Sequence, residues 1–192
     1  VRTIQALESQ EIKDIVIITS NKNALREVID TYLLHAKIVY VEQSIPKGMG
    51  DALLKAKDVL QETFFLLHAH HVEAAIFIKQ MQEMQQRTNE VVLLAKETEN
   101  LEKYGVIKLD GDIVTKITEK PTRTSREKGL RVIGIYLLNK QFLPYLLEAS
   151  DSHYNFEEAL AHYGTKSLVK AVVTDEDVLT LKYPWDILHI KD

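Results

Sequence analysis

Strand-like and helix-like stretches alternate along almost the whole chain, and this alternation limits the fold more than any other sequence feature. Residues 14–20 form a run of β-branched residues, typical of a strand buried on both faces of a sheet. Residues 21–35 carry apolar side chains at helical spacing, as expected for a helix that packs one face on that sheet. The alternation predicts an α/β fold, a three-layer sandwich with a mostly parallel mixed sheet of Rossmann-like type.

The rest of the chain continues this pattern. Further strands are predicted at residues 37–42, 63–70, 90–96, 105–109, 113–118, 130–138, 167–173 and 178–181, and further helices at residues 1–10, 51–61, 72–87, 139–149, 156–163 and from 184 onward. The pair Asp110-Gly111 is a strong hairpin-turn signal. The two predicted strands on either side of it are therefore expected to pair in antiparallel orientation. No repeat or Pro/Gly-rich linker divides the chain, which predicts one domain over residues 1–192.

Composition excludes several classes of partner and site. There are 24 Lys plus Arg against 28 Asp plus Glu, so no overall positive field favours nucleic acid or an anionic membrane as partner. No apolar run approaches the roughly 20 residues that span a bilayer. The absence of cysteine excludes disulfides and thiolate metal sites from this chain and fits the reducing cytoplasm, which is the predicted location.

Several short motifs follow one another along the chain. They are QSIPKGMGD at residues 43–51, YGV at 104–106, EKP at 119–121, GIY at 134–136 and YPWD at 183–186. In this order they resemble the sugar-1-phosphate nucleotidylyltransferase family, whose members couple a nucleoside triphosphate to a sugar phosphate and release pyrophosphate. The resemblance spans nearly the whole chain. It implies magnesium as the family cofactor, and a sugar phosphate or a nucleotide as partner.

The first motif is implied to bind the nucleotide. In the family, a glutamine and a short glycine loop hold the base, and the matching residues here are Gln43, Gly48, Gly50 and Asp51. The residue types suit this task, because glycine lets the backbone approach a flat ring and an amide can bind a base edge with one donor and one acceptor. The same residues are also explained as a turn that links a strand to a helix, with Asp51 as a cap or first-turn acid.

Five further residues are implied to bind the sugar phosphate. In the family, the glycine matching Gly105 packs its backbone against the sugar, Glu119 matches a glutamate that binds sugar hydroxyls, and Lys120 matches a phosphate-binding lysine. Gly134 and Tyr136 match the strand that lines the sugar pocket. An ammonium is a compact counter-charge for phosphate and a carboxylate accepts hydrogen bonds from hydroxyls, so the residue types fit. Glu119 and Lys120 are equally explained as exposed residues that end a hairpin strand. Tyr136 is equally explained as an aromatic residue of the core.

Two positions at which the family has magnesium-binding aspartates carry other residues, His70 and Thr180. Magnesium prefers hard, anionic oxygen ligands, and a neutral imidazole is a poor replacement. Asp175 and Asp177 are near in sequence, but using either requires a local shift of the predicted strand.

The histidines at the end of the predicted strand have two interpretations. His68 and His70 are two residues apart and so point to the same side of a strand, as metal-binding histidines often do. They are equally explained as ordinary hydrogen-bonded residues at a strand end, and His71 as the start of the next helix.

The family begins with a strand and a glycine-rich loop that hold the triphosphate, and neither is recognisable here. Residues 1–10 match the helix that follows that loop, so the loop would lie before Val1. We therefore expect a catalytically impaired nucleotidyltransferase-like domain, a pseudoenzyme that acts as a regulatory or ligand-binding subunit of a homo- or hetero-oligomer. Two alternatives stay open: an active enzyme whose N-terminal loop lies outside this sequence, and a structural interaction domain.

Overall fold

A two-stranded parallel sheet forms the N-terminal part of the computed structural model, which describes residues 1–121, 128–150, 154–179, 181 and 184–189. Helix α1 (Arg2–Ser9) precedes strand β1 (Asp14–Thr19), and helix α2 (Lys22–Ile29) leads to strand β2 (Lys37–Glu42). β1 and β2 pair in parallel over their whole length. α2 begins where the Asn21 side chain accepts a hydrogen bond from the N–H of the third helical residue at 3.1 Å.

The second sheet contains six strands, and five of them close on themselves. The six are β3 (Thr63–Leu67), β4 (Val91–Thr98), β5 (Gly105–Asp110), β6 (Ile113–Glu119), β7 (Gly129–Asn139) and β8 (Val169–Val173). Their order is β3-β7-β4-β8-β6-β5, and β5 also pairs with β7. The strands from β7 to β5 therefore form a small barrel-like unit, on which β3 is a branch.

Helices cover both sheets and connect them. They are α3 (Met49–Ala56), α4 (Ile78–Met84), α5 (Leu143–Glu148) and α6 (Asn155–Tyr163), with 3₁₀ turns at Ala74–Phe77, Leu101–Lys103, Lys140–Phe142 and Pro184–His189. α3 packs on β1 and β2 and also on α5 and α6, so it links the two sheets. Within the described residues, no helix combines the length and the apolar character needed to cross a bilayer.

β4 is the centre of the core, because its first five residues are completely buried. Its side chains alternate between two apolar clusters, as strand geometry requires. Leu93 packs with Tyr136 and Phe156 on the side of α5 and α6, whereas Leu94 packs with Met81 on the side of α4. The core therefore holds the end of β6 close to α6, where one part of the candidate site lies.

The predicted α/β fold with a mixed sheet is confirmed, but the sheet is not mostly parallel. Among the described residues, two strand pairs are parallel and five are antiparallel. The hairpin turn at Gly111 and the long strand β7, which runs against β3, β4 and β5, produce this excess. The curling of the larger sheet also replaces the flat three-layer sandwich that we expected.

Some predicted elements are shorter than expected. α2 ends at Ile29 rather than near residue 35, and the predicted helix over 72–87 divides into a 3₁₀ turn and α4. The described residues of the predicted strand 178–181 lie in irregular backbone.

Two neighbouring strands each have one edge without a strand partner among the described residues. β1 pairs with β2 alone, and β3 pairs with β7 alone. Ile15 of β1 and Phe65 of β3 nevertheless pack on the same apolar cluster, formed by Leu7, Ala75 and Ile78. The strands at the open edges of the two sheets therefore pack against the same apolar cluster.

Candidate functional site

The loop between β2 and α3 brings together the predicted nucleotide-binding residues. The side-chain amide of Gln43 donates hydrogen bonds to the Asp51 carboxylate at 2.7 Å and to the Gly48 carbonyl at 3.2 Å. Asp51 lies in the first turn of α3, as expected. The Gln43 nitrogen is therefore engaged within the loop, while its carbonyl oxygen has no hydrogen-bond partner among the described residues and is the atom suited to contact a ligand.

Gly50 lies in the first turn of α3, and its close neighbour comes from α6. The Asn155 carboxamide lies so close that a Cβ atom on Gly50 would be 2.5 Å from Asn155 Oδ1. Asn155 is 8% exposed, and its Oδ1 is buried without a hydrogen-bond partner among the described residues. Gly50 is thus favoured by a close contact between α3 and α6, which sequence reasoning did not reveal.

The end of the β5–β6 hairpin places Glu119 beside Gly105. The two residues are register partners, and a Cβ atom on Gly105 would be 2.8 Å from Glu119 Oε2. The backbone of Lys120 turns sharply at this point, with φ of 42°, a value that is unfavourable for residues other than glycine. This turn carries the Lys120 side chain away from the hairpin.

Lys120 reaches Tyr154, a residue that the sequence did not identify. Its ammonium donates a hydrogen bond to the Tyr154 hydroxyl at 3.3 Å, lies 5.0 Å from the centre of that ring and is 3.8 Å from Glu119 Oε1. The hydrogen bond to Tyr154, followed by the nearby glutamates, raises the pKa of Lys120. The lysine therefore stays charged where it contacts Tyr154.

These residues line a cavity of about 400 Å³. Its wall consists of Ile117, Glu119, Lys120, Tyr154, Glu157, Glu158 and Ala161. Tyr136 is 6% exposed, and its pKa is raised by burial and then by the charges of Glu157 and Glu119. The structure therefore places Glu119 and Lys120 on one cavity wall with Tyr154 and Glu157, whereas Tyr136 is buried behind it in the core and does not line the cavity.

Gly134 lies away from that cavity, against the histidines that follow β3. It has φ of 81°, and a Cβ atom there would be 3.3 Å from His71 Nε2 and 3.4 Å from His68 Cδ2. The reason is the sheet register, because Leu67 at the end of β3 pairs with Ile135 of β7. Only glycine combines this backbone angle with room for two imidazole rings.

The three histidines form one cluster. The rings of His68 and His70 stack with centroids 5.1 Å apart, and His70 lies 4.4 Å from His71. His71 is 5% exposed and its Nδ1 is buried without a hydrogen-bond partner among the described residues. Burial, followed by His70, His68 and Arg131, lowers the pKa of His71 to about 4. His71 is therefore neutral near pH 7.

This cluster does not fit a magnesium ion. No group of three histidine, aspartate or glutamate side chains in the described part of the chain is arranged to hold a metal. The Asp177 carboxylate is 2.7 Å from Lys96 Nζ, whose hydrogen bond lowers the pKa of that carboxyl. The planes of His68 and His70 are nearly parallel, whereas a metal ion must lie in the planes of both rings to bind their nitrogens.

The segment that contains the second expected metal position runs beside His70. The backbone N–H of Leu181 donates a hydrogen bond to the His70 carbonyl at 2.8 Å. Thr180 itself lies outside the described residues. Leu181, the residue after that position, therefore lies next to His70.

The fold and the motif residues define a domain of the nucleotidyltransferase class, and comparison with known proteins agrees. A family model described as nucleotidyl transferase matches residues 2–185, so the chain belongs to that family. A bifunctional protein GlmU of Methanocaldococcus jannaschii is 26% identical over 186 residues, covering 94% of this chain and 44% of that protein. The chain thus spans less than half the length of this relative.

Solved structures show the same fold. An apo UDP-glucose pyrophosphorylase superposes with a TM-score of 0.72 at 20% identity, over 90% of this chain and 77% of that one. A UDP-glucose pyrophosphorylase complexed with UDP-glucose gives 0.70 at 21% identity, over 90% and 76% of the two chains. At such identities the likeness establishes the fold alone.

Proposed function

We propose that this chain is a catalytically impaired nucleotidyltransferase domain that binds a sugar phosphate and acts as a regulatory or ligand-binding module. The observation that carries this proposal is the Lys120 ammonium, which contacts Tyr154 and Glu119 at the wall of a cavity of about 400 Å³. An ordered cation beside carboxylate and phenol groups suits a ligand that has one phosphate and several hydroxyls.

The impaired chemistry is inferred from the other half of the site. Nucleotidyl transfer needs a cation to neutralise the charge that develops on the attacked phosphate. His70 occupies the expected ligand position, and the nearby Asp177 is already paired with Lys96. Without anionic ligands at these positions, we expect magnesium to bind weakly and the chain alone to release no measurable pyrophosphate.

Thermal unfolding tests the binding proposal directly, because a ligand that binds only the folded state raises the melting temperature. We expect glucose 1-phosphate or a related sugar phosphate to stabilise the protein without magnesium and Lys120→Ala to remove this effect. Lys116→Ala, at an exposed position on β6, is the matched control. If no sugar phosphate shifts the unfolding curve, or if Lys120→Ala leaves the shift unchanged, the proposal fails.

The unpaired edges of β1 and β3 favour a second candidate function. A strand placed between them would join the two sheets over the cluster of Leu7, Ala75 and Ile78, and a loop after it would lie near the histidine cluster. In that case the chain is part of an active sugar-1-phosphate nucleotidylyltransferase. Magnesium-dependent pyrophosphate release from a sugar phosphate and a nucleoside triphosphate would establish this function and refute impairment.

A further inference from the structure

The outer edge of β2 has no strand partner in the described part of the chain. The backbone N–H groups of Lys37 and Gln43 donate hydrogen bonds toward the β1 side, so alternate residues of β2 bond to β1. The residues between them, Ile38, Tyr40 and Glu42, direct their N–H and C=O groups to the other side, where no described residue binds them. This edge therefore presents a row of unused backbone donors and acceptors.

β2 also lacks the features that usually prevent a second strand from adding to an edge. It contains no proline or glycine, pairs with β1 without a bulge, and has charged residues only at its two ends, Lys37 and Glu42. Edge strands that stay single are usually protected by proline, by a bulge or by a charge in the middle of the strand. β2 is thus open to pairing with another strand.

A groove runs beside this edge, between β2 and α2. It has a volume of about 320 Å³. It is lined by Lys22, Asn23, Arg26, Ile38, Val39 and Tyr40. The Arg26 guanidinium lies 5.1 Å from the centre of the Tyr40 ring, so the groove has an aromatic floor under a cation. A strand that adds to the edge would place alternate side chains in this groove.

The charges of α2 along the groove differ in sign between its two ends. Lys22, Arg26 and Asp30 lie on one face of the helix, with Lys22 at its N-terminal end and Asp30 at its C-terminal end. Lys22 pairs with Glu42 at 3.4 Å and Arg26 with Asp30 at 3.9 Å. All four side chains are more than a third exposed, so these pairs contribute little and are readily exchanged. An antiparallel copy of this row matches it, whereas a uniformly acidic or basic segment does not.

We propose that β2 pairs with β2 of a second copy of this chain, in antiparallel orientation about a two-fold axis that passes beside Tyr40. Tyr40 then lies opposite Tyr40 of the partner subunit, and Ile38 lies opposite Glu42 of the partner subunit. In an antiparallel ladder, opposite residues that direct their N–H and C=O groups toward each other exchange hydrogen bonds. The same surface patch is used on both copies, so the assembly closes as a dimer.

The same symmetry matches the charged helices and the apolar ends of the strand. The two α2 helices lie antiparallel beside each other, with Lys22 near Asp30 of the partner subunit. The segment before β2 in one copy lies beside the segment after β2 in the other, and these segments expose Leu33 to 87% and Ile45 to 69%. Removing such side chains from water favours association. The dimer does not require sugar-phosphate binding, so it is tested separately from the proposed function.

Sedimentation equilibrium of the full chain tests this dimer. We expect a dimer at about 100 μM that dissociates on dilution. Ile38→Pro removes an outward N–H and should leave a monomer, since proline is tolerated on an edge strand but cannot donate. Ile38→Ala loses the same side chain, keeps the N–H, and should stay dimeric. A wild-type chain that is monomeric at this concentration, or an Ile38→Pro variant that dimerises like Ile38→Ala, overturns the proposal.

A charge exchange on α2 tests the antiparallel orientation and does not disturb the strand. Asp30→Lys should weaken the dimer about tenfold, because Lys22 then meets a like charge in both symmetric contacts. Adding Lys22→Glu should restore it. Both substitutions suit the helix ends at which they lie, so the fold is kept even if Ile38→Pro does not fold. A double variant that dimerises as weakly as Asp30→Lys alone contradicts the proposed orientation.

Amide hydrogen exchange locates the interface on β2. In the dimer, the outward N–H groups of Ile38, Tyr40 and Glu42 should be protected, and dilution to the monomer should remove this protection. The N–H groups of Val39 and Val41 point toward β1 and should change much less, which makes them internal controls. Equal exchange of the outward amides in dimer and monomer would place the interface elsewhere and overturn the assignment to β2.

Discussion

The backbone N–H of Leu181 donates a 2.8 Å hydrogen bond to the carbonyl oxygen of His70. This contact uses only main-chain atoms, so it fixes the position of the turn after β3 without specifying the side chain at residue 70. A carboxylate at that position is therefore compatible with this main-chain contact.

A double substitution tests this interpretation. We expect His70→Asp with Thr180→Asp to increase magnesium affinity at least about tenfold, because two carboxylates supply the anionic oxygens that the ion prefers. Titration calorimetry with magnesium chloride measures the change, and Asp175→Asn in the same background shows whether a nearby carboxylate contributes. An unchanged magnesium affinity would mean that the two segments do not form one site.

Gly50→Ala should destabilise the protein. The new Cβ atom would meet the Asn155 carboxamide at 2.5 Å in a buried position, and overpacking of this kind costs about 1–3 kcal/mol. Urea unfolding measures the loss. Gly164→Ala is the control, since the nearest atoms to its Cβ are at 3.5 Å and φ is −61°. Asn155→Ala should recover part of the loss in the double variant, and additive effects of the two substitutions would contradict the contact.

Replacing Lys120 separates backbone strain from binding. Because φ is 42°, Lys120→Gly should be more stable than Lys120→Ala by about 0.5–1 kcal/mol, the reverse of the usual order in a strand. Both variants should lose sugar-phosphate binding. The same two substitutions at Lys108, an exposed residue of β5, provide the comparison. Equal stability of the two Lys120 variants in urea would argue against strain at this position.

The buried His71 makes stability depend on pH. Its pKa is about 4 in the folded chain and 6.5 is the usual value, so the unfolded chain binds more protons between these limits. The free energy of unfolding should fall by roughly 2–3 kcal/mol as pH decreases from 6.5 to 4. Urea unfolding at pH 7 and 5 measures this, and His71→Gln should have the smaller dependence. Equal slopes for the two proteins would refute the assignment.

Local patterns in the sequence predicted most of the strands. The β-branched residues of β1 and the turn signal at Gly111 appear in the structure as expected. The direction of strand pairing could not be predicted, because alternation of side chains gives the faces of a strand and not its neighbour. The closure of β5 onto β7 depends on contacts between distant segments, which no local pattern contains.

Some residues of the candidate site could likewise be predicted from a local motif, whereas others come together only through tertiary packing. Gln43 and Asp51 are close in sequence and meet within one loop, so a motif could identify them together. Tyr154 and Glu157 reach Lys120 and Glu119 only through the packing of α6 beside β6. In the sequence, Glu157 is indistinguishable from any acid in the first turn of a helix. That Gln43 binds a base and Lys120 a phosphate remains a prediction.

We expect the two sheets to differ in local stability, because they differ in how many strand partners each strand has. Among the described residues, β4 to β8 pair within a closed ring of strands, whereas β1 and β2 pair only with each other. We expect amide protons of β1 and β2 to exchange faster than those of β4. The loop of Gln43 follows β2, so a brief local opening would dismantle that loop while the cavity at Lys120 stays intact.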